Sequence, residues 1–148
     1  MRYVGKSCPI HDARQKAAGR AVYAGDMELK GMLHAAVLFS SCPHGIVKKL
    51  DCSEAFKVPG VVDIIHCFNT TEKEYNRYQS QFNQKLINTE RIFNAHVRFV
   101  GDRIGAVIAE TEEAAREAVR KIQVEYEELP YSLDVFETLK GTIDNVHP

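Results

Sequence analysis

The sequence lacks the features that mark membrane-spanning, secreted or nucleic-acid-binding proteins. None of its apolar runs is longer than a strand, so we expect no transmembrane helix, and no apolar stretch typical of a signal peptide follows Arg2 and Lys6. Its formal net charge is −1, which favours neither nucleic acid nor an anionic membrane surface. We therefore expect no nucleic acid and no membrane among its partners.

Cysteine is also scarce. The chain of 148 residues has four cysteines, none in Cys-x-x-Cys spacing, so it is not a disulfide-dense scaffold. This pattern indicates reduced thiols in a cytoplasmic protein. Cys67 lies in an apolar run and is interpreted as a small core residue.

Phosphate-binding glycine motifs are absent as well. Neither Gly-x-Gly-x-x-Gly nor Gly-x4-Gly-Lys-Ser/Thr occurs, so a Rossmann turn or a P-loop has no support. Most carboxylates fall on a predicted helix surface or at strand ends, where solvated charge explains them. These absences leave a soluble domain without an evident nucleotide site.

Three Cys/His pairs are the candidates for metal binding or nucleophilic chemistry. Cys8-Pro-Ile-His11 and Cys42-Pro-His44 could supply zinc ligands, but both spacings depart from the usual zinc patterns. Cys42 with His96 is a conceivable nucleophile and base, although no signature of a cysteine hydrolase surrounds them. We therefore assign no catalytic, cofactor-binding or metal-binding residue.

Two histidines are interpreted structurally. His66 shares one face of a predicted strand with Val62, Ile64 and Phe68, which favours a buried, hydrogen-bonded side chain. His44 lies in a predicted turn, and two roles stay open for it. It either stabilises that turn by a hydrogen bond or contacts a partner domain.

Hydrophobic periodicity predicts an α+β fold with a mixed β-sheet. Alanines at helical spacing predict one long helix (about 111–121) that Thr111 can cap, and a short helix (about 53–56) should end before Val58-Pro59. Gly101-Asp102 tolerates positive φ and predicts a hairpin between strands 97–100 and 104–109. The other strands are predicted at 32–40, 46–51, 61–68 and 123–127, the first of them covered on both sides.

The whole chain, 1–148, is interpreted as a single domain with two irregular segments. An N-terminal arm (1–31) should have turns at Gly19, Gly25–Asp26 and Lys30–Gly31. A long insertion (69–95) shows no sustained period, and we expect a surface loop with a short helix. Both segments carry hydrophobic residues without the helical or strand spacing that would bury them in the core of the domain. They are therefore the candidate surfaces for packing against a partner.

Three segments, taken in order, are the distinctive motifs of the chain. They are Val4-Gly5-Lys6 to Asp26, Gly31-Met32-Leu33-His34-Ala35 to Pro59-Gly60-Val61-Val62, and VRFVGDRIGAVIAET (97–111) with Val124-Glu125-Tyr126-Glu127-x-Leu129-Pro130. Together they resemble the α/β hammerhead domain that opens the molybdenum-binding subunit of the xanthine dehydrogenase and aldehyde oxidase family. One departure is that the family has proline directly after the turn serine, whereas here Ser41 and Cys42 precede Pro43.

The resemblance implies an oxidoreductase that hydroxylates an electron-poor carbon with oxygen from water. It implies a molybdenum–molybdopterin cofactor, with iron–sulfur clusters and, in some members, FAD in partner domains or subunits. A purine such as xanthine is favoured as substrate, and an aldehyde or another aromatic heterocycle is the alternative. The family's glutamate base and pterin-holding residues lie downstream, so none is carried over to this chain.

The resemblance also implies that this chain is truncated from a larger one. We expect a fragment that is non-catalytic alone and packs against downstream cofactor domains, in an enzyme that is an oligomer. A stand-alone binding or assembly module, or a small cysteine-dependent enzyme, is the alternative of another class. Continuation of the reading frame past Pro148 would distinguish the enzyme from the module.

Overall fold

The computed structural model describes residues 4–76, 88–141 and 143. The chain divides into two compact units, Met1–Met32 and Leu33–Pro148. None of the helices in the described ranges is long and apolar enough to cross a membrane.

The first unit contains a short helix that the sequence did not predict. Helix α1 spans Ala13–Ala17, a 3-10 helix spans Ala24–Asp26, and Lys30–Gly31 forms a turn. Gly19 and Gly31 have φ angles of 66° and 78°, which confirms the turns expected there. An ion pair between Lys16 and Asp12 stabilises α1 across one turn. The helix has only 5 residues, which is too short to produce a hydrophobic periodicity in the sequence.

The second unit is an α+β arrangement, as predicted. Its elements are β1 (His34–Phe39), β2 (Gly45–Asp51), β3 (Val61–His66), β4 (His96–Val97), β5 (Arg103–Ala109), α2 (Glu112–Lys121), β6 (Gln123–Glu128) and α3 (Val135–Leu139). The strands form two three-stranded sheets, in the orders β1-β5-β3 and β4-β2-β6, and every pairing between these strands is antiparallel. The expectation of one mixed sheet is therefore wrong.

Helix α2 confirms the long helix. The Thr111 side chain accepts a hydrogen bond from the Ala114 N–H at 3.1 Å and caps the first turn. Ala115 and Ala118 are fully buried against the β1-β5-β3 sheet. Two i,i+4 ion pairs lie on the exposed side of the helix, Arg116 with Glu112 and Lys121 with Glu117.

Strand β1 is covered on one side only. Leu38 is buried, whereas Val37 and Phe39 on the opposite face are 37% and 55% exposed. The prediction that this strand is covered on both sides is therefore wrong for the described chain. Helix α2 contacts β1, β5 and β3 of this sheet, and its Val119 packs against the cluster that contains Leu38.

The short helix predicted at about 53–56 is a series of turns. Phe56 N–H donates to the Cys52 carbonyl at 3.0 Å, as in an α-helix. The next two N–H groups, of Lys57 and Val58, donate to the carbonyls of Glu54 and Ala55, three residues back, as in a 3-10 turn. Pro59 stops the chain before a second helical turn can form.

The predicted hairpin at 97–109 is also wrong. Strand β4 pairs with β2, whereas β5 pairs with β1 and β3, so the chain passes from one sheet to the other at Gly101-Asp102. Gly101 does have a positive φ of 96°. The turn signal was correct, and the partners of its two flanking strands were not.

Strand β3 has a register shift between Val61 and Asp63. Val62 is 52% exposed and Ile64 is 2% exposed, so the predicted shared face is broken by the bulge. In the insertion, Tyr75 and Glu90 form an antiparallel bridge that closes its base. No helix lies in its described part, and residues 77–87 lie outside it.

Candidate functional site

The junction between the two sheets brings together most of the residues singled out in the sequence. It begins at the turn after β1, where the Ser40 hydroxyl accepts from Cys42 N–H and donates to the Cys42 carbonyl, both at 3.0 Å. Gly45 follows, and a Cβ there would lie 2.7 Å from the Glu127 carbonyl oxygen and 2.9 Å from the Cys42 sulfur. The close approach of β6 therefore requires glycine at the start of β2.

His44, His96 and Pro130 form a contact that we call the histidine clasp. His44 Nδ1 lies 2.7 Å from the Pro130 carbonyl oxygen, and its Nε2 lies 3.0 Å from His96 Nε2. Because a carbonyl oxygen only accepts, His44 Nδ1 must donate, and the Nε2 of a neutral His44 then accepts from His96. The clasp ties the start of β2 to β4 and to the end of β6, so the His44 side chain bonds to distant parts of the chain and not within its own turn.

A buried carboxylate holds the corner between β4 and β5. Asp102 is 4% exposed, and its oxygens accept from Asn94 Nδ2 at 2.9 Å, Arg103 N–H at 2.9 Å and Arg98 N–H at 3.2 Å. Its backbone joins β1, because Ser40 N–H donates to the Asp102 carbonyl at 2.7 Å. The sequence pointed to Asp102 as a turn residue only. Its burial and its partnership with Asn94 could not be read from local spacing.

The structure places the two candidate residues of the nucleophile pair in different hydrogen bonds. The Cys42 thiol is buried and donates to the His44 carbonyl oxygen at 3.3 Å, while His96 Nε2 faces His44. A thiol committed to a carbonyl is not activated by an imidazole base. The arrangement therefore supports structural roles for both side chains.

Two other thiols lie in apolar surroundings. Burial raises the pKa of Cys67 to about 11. Burial, and secondarily the charge of Asp51, raises the pKa of Cys52. Cys67 packs against the cluster of Leu38, Val47 and Ile104, as expected for a core residue. Raised pKa values oppose the thiolate form that metal binding and nucleophilic attack require.

His66 is half-buried, not fully buried as expected, and its role is structural. Its Nδ1 accepts from the Phe68 N–H at 3.2 Å. Burial lowers its pKa, because desolvation disfavours the imidazolium.

The proposed zinc ligands gain no support from geometry. Cys8 is exposed in the first unit, and His44 Nδ1 and the Cys42 thiol point at backbone carbonyls. Within 4–76, 88–141 and 143, no group of three or more His, Cys, Asp and Glu could hold a metal ion.

Beside the histidine clasp lies an apolar cleft of about 410 Å³. Helix α3 and the turn before it carry Leu133, Phe136 and Leu139, which are 90%, 72% and 78% exposed and which we call the C-terminal apolar patch. Such a concentration of exposed apolar side chains is typical of an interaction surface. The cleft is lined mainly by Pro43, His44, Phe99, Val100, Tyr131 and Leu133.

Comparison with known proteins gives a consistent result over nearly the whole chain. Residues 18–130 match the family described as "Aldehyde oxidase and xanthine dehydrogenase, a/b hammerhead domain". The chain is 31% identical over 147 residues to the probable hypoxanthine oxidase of Escherichia coli O157:H7, covering 99% of this chain and 15% of that protein. It is 35% identical over 144 residues to rat xanthine dehydrogenase/oxidase, covering 96% of this chain and 10% of that protein.

A solved structure has a similar backbone. The aldehyde oxidoreductase of Desulfovibrio desulfuricans superposes with a TM-score of 0.84 at 27% identity, over 97% of this chain and 17% of that one. The chain thus spans only a small part of the length of the relatives that it matches.

Proposed function

The chain belongs to the aldehyde oxidase and xanthine dehydrogenase family, as its a/b hammerhead domain, and we propose that it serves as a non-catalytic scaffold within a molybdenum hydroxylase. The observation that carries the proposal is the family match at residues 18–130, together with the small share of each relative that the chain covers. The larger enzyme would hydroxylate a purine with oxygen from water. Both relatives described above are named for xanthine or hypoxanthine, which supports a purine over other substrates.

The described residues do not fit a molybdenum–pterin cofactor. The pterin carries an anionic phosphate, which helix N-termini commonly bind. The first turn of α2, the longest described helix, instead carries Glu112 and Glu113, and Thr111 already occupies the Ala114 N–H. An anion there would be repelled by two carboxylates. We propose that this domain supplies no catalytic, cofactor-binding or metal-binding residue.

Iron–sulfur ligation meets the same objection. A cluster requires several thiolates close together. Here Cys42 is buried and bonded to a carbonyl, and burial raises the pKa values of Cys52 and Cys67, which disfavours their thiolate forms. The clusters, and FAD where present, would therefore be held by partner domains or subunits. Free thiols throughout are consistent with a cytoplasmic enzyme.

The exposed apolar residues support packing against those partners. The C-terminal apolar patch leaves Leu133, Phe136 and Leu139 largely in solvent, and the N-terminal arm similarly exposes Ile10 and Val22 at 71% and 75%. Side chains of this size are rarely so exposed in groups unless another surface covers them. We propose that both regions contact the cofactor-binding domains of the larger protein.

An aldehyde is the second candidate substrate. The observation in its favour is the backbone similarity to the Desulfovibrio aldehyde oxidoreductase. Because the substrate would bind in another domain, activity assays of the enzyme encoded by the whole reading frame, with xanthine, hypoxanthine and aldehydes, would decide between the two.

The scaffold proposal is tested first on the 148-residue chain alone. We expect neither stoichiometric molybdenum by elemental analysis, nor flavin or iron–sulfur absorption, nor xanthine oxidation. Stoichiometric molybdenum would overturn the proposal.

The packing proposal is tested in the enzyme from the whole reading frame. Phe136→Ser should lower its molybdenum content and activity while leaving the melting temperature of the 148-residue chain unchanged, because Phe136 is 72% exposed there. Phe56→Ser, at 54% exposure outside the patch, is the matched control. Equal effects of the two substitutions would argue against packing through the patch.

A further inference from the structure

Strand β1 lies at the edge of its sheet and lacks the features that usually prevent an edge strand from pairing with another chain. It pairs with β5 along one side and with no other strand of the described ranges. Its sequence, HAAVLF, has no Lys, Arg, Asp, Glu or Pro. Proteins usually block an exposed edge with charge, proline or a strong bulge, because its free N–H and C=O groups can pair with another chain. A register shift does occur in β1, but only at its last residue, Phe39.

The other long edge strands are guarded. Strand β6 carries Glu125, Glu127 and Glu128. Strand β3 carries Asp63 beside its bulge. The absence of any such device in β1 is therefore a local property of that edge, and it indicates an interface.

A groove of about 420 Å³ runs between the edge of β1 and helix α2. Val37 and Phe39 contribute its apolar side. The helix contributes Glu112, Arg116, Val119 and Arg120. An occupant of this edge must therefore match an uncharged strand and a helix with charges at both ends.

We propose that this occupant is a second copy of the chain, joined by antiparallel pairing of β1 with β1 across a twofold axis at Val37. In this register, the two residues of each facing pair lie at equal distances from Val37 along the strand. Ala35 faces Phe39 of the copy, and Ala36 faces Leu38. Each small side chain thus meets a large one, and Val37 meets itself on the exposed face, which is the favourable pattern for cross-strand packing.

The helices are complementary in the same arrangement. Helix α2 follows β5 after a two-residue connection and packs back on the same sheet, so it runs antiparallel to β5 and in the direction of β1. It lies over both β1 and β5. With strands spaced about 4.8 Å apart, the two α2 helices would stand about 10 Å apart, which is a normal packing distance.

Charge complementarity favours a second copy over an unrelated strand. The first turn of α2 carries Glu112 and Glu113, and its last turn carries Arg120 and Lys121. Antiparallel helices place each acidic end beside the basic end of the copy. Arg116, in the middle of the helix, is already paired with Glu112 of its own helix. This inference does not depend on the activity proposed above.

The first test is the oligomeric state of the 148-residue chain by sedimentation equilibrium over a range of concentrations. We expect a monomer–dimer equilibrium for the unmodified chain. Val37→Lys would place like charges opposite each other and should weaken the dimer by about tenfold or more in Kd. Val62→Lys is the matched control, an exposed valine on the other edge strand of the same sheet. It should leave Kd unchanged.

The second test uses charge pairs and does not alter β1. The variants E112K/E113K and R120E/K121E should each dimerise less well alone, because like charges would meet at both helix ends. An equimolar mixture should form a heterodimer at least as readily as the unmodified chain, and circular dichroism checks that both variants keep their helix. A strictly monomeric chain, equal effects of V37K and V62K, or no recovery in the mixture would overturn the proposal.

Discussion

Asn94 and Asp102 are hydrogen-bonded to each other at 2.9 Å in the interior, where they are only 9% and 4% exposed. The contact links the end of the insertion to the corner between β4 and β5. A buried carboxylate is tolerated only when its oxygens are satisfied, and here two backbone N–H groups complete the set. This network sets the point at which the chain leaves one sheet and enters the other.

Asp102→Ala should therefore destabilise the domain strongly. Three donors lose their acceptor in the interior, and we expect a loss of about 3 kcal/mol in the free energy of unfolding, measured by urea denaturation. Asp102→Asn keeps one acceptor oxygen and should cost less. Asp12→Ala, which removes a surface ion pair, is the control and should change stability by less than about 1 kcal/mol. A loss for Asp102→Ala no larger than that of the control would contradict this role.

Gly101 adopts a φ of 96°, which β-branched residues resist. Gly101→Val should cost about 2 kcal/mol through backbone strain, since no atom lies close enough to clash with an added Cβ. Thermal unfolding measures the melting temperature, and chemical denaturation measures the free energy of unfolding. Gly25→Val is the control, because Gly25 has open space around it and no positive φ. An unchanged melting temperature for Gly101→Val would show that the turn relaxes without strain.

Thr111 caps helix α2 through its hydroxyl. Thr111→Ala leaves the Ala114 N–H without this acceptor and should cost about 1 kcal/mol of stability. Thr111→Ser keeps the hydroxyl and should stay near the unmodified value. If alanine and serine behaved alike, the cap would contribute nothing measurable, and burial of Ala115 and Ala118 would account for the helix.

The thiols should differ in reactivity with an alkylating reagent. At neutral pH we expect Cys8, which is exposed, to react first, and Cys67 to react slowest, because its pKa of about 11 leaves little thiolate. Mass spectrometry of peptides after timed exposure to iodoacetamide measures the order. Repeating the reaction in urea is the control, since unfolding should equalise the rates. Rapid alkylation of Cys42 at low pH would support the alternative that the chain is a small cysteine-dependent enzyme.

The lowered pKa of His66 gives a pH dependence of stability. Below its unfolded value of 6.5 the unfolded chain binds this proton more readily than the folded chain. The stability contributed by neutral His66 is therefore present above that pH and is lost as the pH falls through the folded pKa. Urea denaturation at neutral and mildly acidic pH should show a smaller loss for His66→Gln than for the unmodified chain. An identical loss would assign the pH dependence to other groups.

Local signals in the sequence determined much of this fold. The cap at Thr111, the alanine stripe of α2, the glycine turns and most strand positions act over a few residues, so spacing alone predicts them. The family resemblance rests on the same segments and was confirmed by the comparisons. The physical reason is that capping, turn geometry and amphipathic periodicity are short-range properties of the chain.

Tertiary structure alone decided how the strands were shared between two sheets. Whether β4 pairs with β5 or β2 depends on the Asp102 corner and on residues far apart in the chain, as in the contact of His44 with Pro130. The uncovered edge of β1 is likewise invisible in HAAVLF, which would also suit a strand with neighbours on both sides. Which strands pair depends on residues that are distant in the sequence, and the local propensity of a segment does not determine its partner.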